Sequence, residues 1–148
     1  MNEATFEATA AGAVEKTIDV EVRYAETDQM GVVHHGEYVV WFEIARTRLC
    51  ADSGWHYADI ERLGYHLMVT GVELSYRRPA RYGETVQVTC SIARLGSRGL
   101  TFAYRVERAG ELLVRGTTGH VWVDRASSRP CRTPVELEEG FRQLAGGP

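Results

Sequence analysis

Between Tyr24 and Tyr38 the chain reads YAETDQMGVVHHGEY. A carboxylate, Asp28, precedes a glycine, Gly31, and two adjacent histidines, His34 and His35, just before an apolar run. The chemistry such a set can perform is acyl transfer. A carboxylate attacks a carbonyl or activates water. The backbone N–H groups at a helix N-terminus have no intrahelical partner, so they can hold the negative charge that develops on the oxygen. Losing one such donor costs about 3 kcal/mol of barrier where the reaction depends on it. Gly31 lets the chain turn sharply between the carboxylate and the helix start.

Each of these residues also has an ordinary structural role open to it. Asp28 suits an Asx turn or a cap. Tyr24 suits core packing with its hydroxyl satisfied. His34 and His35 suit polar positions at a helix start. As metal ligands they are poor, because adjacent side chains diverge and Asp28 as a third ligand leaves a thin site. No metal is therefore expected. Glu43 and Arg46 read as a structural i,i+3 pair on the following helix. Spacing alone marks an active-site loop and leaves its reaction open.

The surrounding pattern says what positions this loop. Residues 17–24 alternate Ile18, Val20, Val22 and Tyr24 against polar neighbours, a strand with one buried face. After the loop, EYVVWFEIARTRLCADSG reads as a helix that Gly54 stops. Its first half is apolar nearly all round, through Tyr38, Val39, Val40, Trp41, Phe42 and Ile44, which predicts cover on more than one side. A short amphipathic turn ends at Gly64, and four consecutive strands follow. Gly116 and Gly119 in the last of them predict a bulge or a close backbone approach. The segments GSRG and AGE read as hairpin turns.

One helix followed by a run of strands predicts an α+β fold, a curved antiparallel sheet of about five strands wrapped around one long central helix. The open face and edges of such a sheet point to a homo-oligomer. The expected organisation is a flexible tail over 1–16, one domain over 17–134, and a tail over 135–148 that includes a short helix.

Composition sets the outer limits. The chain has 148 residues, 44% hydrophobic and 25% charged, with a formal charge of -3. That is an ordinary globular balance, with no basic field for nucleic acid. No apolar run approaches the roughly 20 residues that span a bilayer, and the small, polar N-terminal stretch does not read as a secretory signal. Cys50, Cys90 and Cys131 are odd in number and widely spaced, which favours a reducing compartment and a cytoplasmic protein.

The stretch VRYAETDQMGVVHHGEYVVWFEIARTRL resembles the opening of hotdog-fold acyl-CoA thioesterases of the 4-hydroxybenzoyl-CoA thioesterase class, the YbgC-like branch in particular. The matching positions are Tyr24, Thr27, Asp28, Gly31, Val32, Val33, His34, His35 and Tyr38, then Phe42, Glu43 and Arg46. YRRPARYGE and GHVWVDRASSRP extend the likeness, so that it covers about residues 18–134.

The resemblance implies hydrolysis of an acyl-CoA, or of an acyl carrier protein thioester, with no cofactor. It gives Asp28 the part of nucleophile or general base. The His35 N–H becomes the oxyanion donor, its ring assists proton transfer, and Tyr24 supports the site. Gly31, Val33 and His34 would contact substrate, and a homodimer or homotetramer would carry the site. The sequence departs from many relatives at His34, Gly36 and Glu37, positions that bear on acyl preference. A non-catalytic acyl-CoA-binding module and a hotdog hydratase or dehydratase are the competing readings.

Overall fold

A computed structural model describes residues 11–147. The tail expected over 1–16 falls largely outside that range. The elements run β1 (Lys16–Glu21), α1 (Glu37–Asp52), α2 (Tyr57–Leu63), β2 (Tyr65–Tyr76), β3 (Thr85–Leu95), β4 (Gly99–Arg108), β5 (Glu111–Asp124), a two-residue β6 (Arg129–Pro130) and α3 (Val135–Leu144).

The alternating segments predicted from sequence pair as one antiparallel sheet in the order β1-β3-β4-β5-β2, with β6 joined to the end of β5. Their inward residues form the core. Val86, Val88, Cys90 and Ile92 on β3, with Phe102, Tyr104 and Val106 on β4, are buried against α1. Each such aliphatic side chain contributes about 1.5–3 kcal/mol when fully buried. The β4–β5 hairpin turns on Ala109 and Gly110, both with positive φ, the geometry that follows the twist of the strands it joins. Helix α3 closes the end of the core with Leu137, Phe141 and Leu144. This is the hotdog fold, α+β.

At Gly116 a ring from the helix lies directly against the sheet. A Cβ there would lie 2.5 Å from Phe42 Cε2 and 2.9 Å from the Glu73 carbonyl oxygen. Phe42 cannot retreat, because its ring stacks on Tyr104 with centroids 4.1 Å apart. Gly116→Ala is therefore expected to destabilise the fold by about 2 kcal/mol through overpacking. Urea unfolding would show this as a lowered midpoint; an unchanged midpoint would mean that the helix can shift.

Two expectations are corrected here. The apolar first half of α1 is not covered all round, since Val40 and Ile44 are 46% and 39% exposed. The sheet covers one side of the helix, and β1 ends it without closing over the other. Arg46 does not pair with Glu43 either. It lies on the inward stripe with Phe42, Ala45 and Leu49 and is 8% exposed, whereas Glu43 points to solvent.

The Arg46 guanidinium rests against the Tyr57 and Tyr104 hydroxyls. From Tyr104 the buried polar chain continues through Thr118 to His120, by contacts of 2.6 and 2.8 Å. Burial first, and the Arg46 charge second, push the His120 pKa down to about 4.

Strand β2 is the other feature of note. It is a twelve-residue edge strand, paired on one side only within the described chain, and Met68, Val69, Val72 and Tyr76 along it are exposed. Among the described residues no helix is long and apolar enough to cross a membrane.

Candidate active site

After β1 the chain makes a single 3-10 turn over Tyr24–Glu26 and then a narrow hairpin. Thr27 bridges Val33, the Asp28 N–H donates to the Val32 carbonyl, and the His34 N–H donates to the Glu26 carbonyl. The tip is the turn Asp28–Gly31, closed by the Gly31 N–H on the Asp28 carbonyl at 2.9 Å. Gly31 takes a φ of 74°, the conformation for which glycine is suited.

Asp28 Oδ1 accepts the Met30 N–H at 2.8 Å, so the Asx-turn role is real. Its second oxygen makes no hydrogen bond to a described residue, and the side chain is half-exposed. The turn occupies one oxygen and leaves the other without a bond to a described residue.

The hairpin delivers the chain to the start of α1. His34 folds back so that its Nδ1 accepts the Gly36 N–H at 3.1 Å, and its ring lies 4.0 Å from that of His35. The His34 carbonyl accepts the Glu37 N–H. The His35 N–H, by contrast, has no acceptor among the described residues. From β2, the Tyr76 hydroxyl donates to the His35 carbonyl at 2.8 Å and fixes that peptide plane. Tyr38 is buried between Trp41 and Tyr76, with ring contacts to both, and its hydroxyl accepts the Ala80 N–H at 3.4 Å. Burial pushes its phenol pKa up, so it stays neutral.

Not every expected residue lies where the sequence suggested. Tyr24 is 77% exposed and is not core packing; its ring meets that of Tyr82 edge-on at 5.7 Å. Val33 is 4% exposed, with its N–H on the Ala80 carbonyl, so it anchors the loop from inside. His34, His35 and Gly31 are exposed.

Five arginines could serve an anionic substrate, and the fold divides them. Arg77, Arg78 and Arg81 lie in the β2–β3 connection, which touches the site loop through Ala80 and Tyr82. Arg94 and Arg98 flank the far end of β3, roughly 30 Å away at about 3.3 Å per residue.

Sequence reasoning missed Glu26. This carboxylate is 3% exposed, accepts the Arg23 N–H at 2.8 Å on one oxygen, and accepts the Trp41 indole N–H at 2.7 Å on the other. Desolvation opposes its ionisation, yet the bonds from Arg23 and Trp41 outweigh it and hold the carboxyl below its usual pKa. The available signal was the three-residue spacing of Arg23 and Glu26, a capping-box distance at the head of the turn.

Beside Glu26 a groove of about 740 Å³ runs between β1 and α1, lined by Arg23, Val40, Trp41, Ile44 and Arg48 among others; neither Asp28 nor His35 lines it. No cluster of three metal-ligating side chains occurs among the described residues.

The sequence profile of the thioesterase-like superfamily matches residues 22–141. YneP of Bacillus subtilis (strain 168), a proposed acyl-CoA thioesterase, is 42% identical over 113 residues, covering 76% of this chain and 82% of that protein. The acyl-CoA thioester hydrolase YbgC of Escherichia coli O157:H7 is 27% identical over 125 residues, 84% of this chain and 93% of its own. Among solved structures, the DHNA-CoA thioesterase of Staphylococcus aureus superposes with a TM-score of 0.83 at 30% identity, over 88% of this chain and 90% of its own. The hypothetical protein TT1821 of Thermus thermophilus gives 0.83 at 42% identity, over 87% and 98%.

Proposed function

The chain belongs to the thioesterase-like superfamily, and from that membership we propose that it hydrolyses acyl-CoA thioesters to a carboxylic acid and coenzyme A. One observation carries the assignment of parts. A single hairpin holds Asp28, with one oxygen unengaged, on its tip, and runs through its other arm into a helix start whose His35 N–H has no partner among the described residues.

In this reading the thioester carbonyl oxygen accepts the His35 N–H. Asp28 then acts in one of two ways. It attacks the carbonyl carbon, expelling the thiolate and forming a mixed anhydride that water cleaves, or it draws a proton from the water that attacks. The His35 ring assists proton transfer to the leaving thiolate. Tyr24, held by Tyr82, supports the loop from the solvent side, and Gly31 and His34 border the bound thioester. The acyl group runs along α1 past Val40 and Ile44, where the groove offers room. In this reading the arginines of the β2–β3 connection, Arg77, Arg78 and Arg81, meet the coenzyme A phosphates. An acyl carrier protein thioester would present the same reacting atoms.

The unpaired edge and exposed apolar residues of β2 support pairing with a second copy, giving a homodimer or a homotetramer built from it. The three free thiols agree with a cytoplasmic setting.

The test is thiol release from a panel of short-chain, long-chain and aromatic acyl-CoAs. Turnover of any one supports the reading, and the preferred acyl group then assigns the substrate. Binding without cleavage across the panel would favour the non-catalytic module.

A further inference from the structure

Glu26 is the only carboxylate among the buried described residues, and all of its bonds are local to the site. Through its side chain it joins the entry of the 3-10 turn, at the Arg23 N–H, to the core helix, at the Trp41 indole. Through its main chain it joins the two arms of the hairpin, because its carbonyl accepts the His34 N–H at 2.8 Å. One residue therefore fixes the arm that carries Asp28, the arm that leads into His35, and the helix on which both rest. Both carboxylate oxygens of Glu26 are engaged, so it has no free oxygen for substrate. Trp41 for its part is 1% exposed and held edge-on by Tyr38 at 5.0 Å, so the anchor point does not move.

We propose that Glu26 is a positioning residue for hydrolysis, which sets the placement of the Asp28 carboxylate against the His35 amide through its buried bond to Trp41. The proposal rests on the thioesterase reading above. Its consequence is for rate more than for binding. The reacting carboxylate and the amide must meet one carbonyl within a few tenths of an ångström, and a misplacement of about 1 Å costs about a hundredfold. In that reading most of the coenzyme A surface meets residues outside this loop and would not sense the change.

Glu26→Gln separates these effects. Glutamine has the same reach but only one acceptor oxygen. Its amide nitrogen must face either the indole N–H or the Arg23 N–H, so one of the two bonds is lost. Trp41→Phe removes the indole bond from the other side, taking away Nε1–H and leaving an aromatic ring in the core.

Each variant, measured with its best acyl-CoA and checked for folding by circular dichroism, should lose roughly ten- to a hundredfold in kcat. KM should stay within about threefold, and the acidic limb of the rate profile should not move. The double variant should lose less than the product of the two single losses, since both loosen the one junction between Glu26, Arg23 and Trp41. Should Glu26→Gln fail to fold, Trp41→Phe decides alone.

A kcat within about threefold of wild type in the folded variants overturns the proposal. So does a loss confined to KM, or an additive double. Asp28→Asn run beside them keeps the two readings apart. Full turnover in Asp28→Asn with loss in Glu26→Gln would sink the role of the aspartate and leave the hold on the His35 amide standing.

Discussion

Asp28→Asn is expected to slow thioester hydrolysis by at least about a hundredfold, which corresponds to about 2.7 kcal/mol of barrier. The substitution suits the question because it spares the turn. Asparagine keeps an Oδ1 acceptor for the Met30 N–H, the bond that Asp28 makes at 2.8 Å, and it is as acceptable as aspartate in an Asx turn. What it removes is the negative oxygen that makes no bond to the described residues. A neutral amide neither attacks a thioester nor takes a proton from water, so both forms of the mechanism predict the loss. Thiol release with wild type and variant side by side, and far-ultraviolet circular dichroism as the folding control, gives the answer. Undiminished turnover in a folded variant would mean that another group does the chemistry.

The second large effect is on stability. His120 is 4% exposed, and burial together with the Arg46 charge pushes its pKa down to about 4 from an ordinary value of 6.5. The sign follows from proton binding. Between those two values the unfolded chain takes up a proton that the folded chain refuses, so stability rises with pH across the window. The contribution is complete above about pH 6.5 and is lost on acidification. The loss is roughly 3 kcal/mol in all, at about 1.4 kcal/mol for each pH unit between the two values. Glu15 and Glu26 are held below their usual range and weaken the fold only in stronger acid, below that window. Urea unfolding from pH 7 to pH 4.5 should show a falling midpoint in wild type and a flatter one in His120→Gln. Parallel slopes would mean that His120 already carries a proton in the fold.

The parts of this molecule that follow a period were legible, and the parts that depend on a tertiary neighbour were not. Val86, Val88, Cys90 and Ile92 alternate in sequence and are all fully buried in β3. Gly116 was legible as a close approach, because glycine inside a strand has few other uses, but nothing local named Phe42 as what approaches. The loop between Tyr24 and Tyr38 was recognisable as a concentration of chemistry.

Its hydrogen bonds were not recognisable, because Glu26, Trp41, Tyr76 and Ala80 come from separate elements. Glu26 reads as one more surface charge until Trp41 arrives above it. Arg46 reads as half of a helical ion pair until the inward stripe of α1 takes it under the sheet, where tyrosine hydroxyls replace the expected carboxylate. Tyr24 misled in the other direction. It continues the alternation of β1, yet the strand has ended at Glu21, and the turn that follows puts the ring in solvent.

The sheet order has a consequence for the time course of folding. Strands β3, β4 and β5 are neighbours in sequence and in space, joined by two tight hairpins. They can zip from local contacts alone, which form fast. Strands β1 and β2 join opposite edges of that meander, and the segment between them carries the site loop and α1. That segment must cross the whole meander, at the cost of closing long loops, before the Trp41 indole can reach Glu26. The expected order is meander first and site loop last, so recovery of activity on refolding should trail recovery of strand structure.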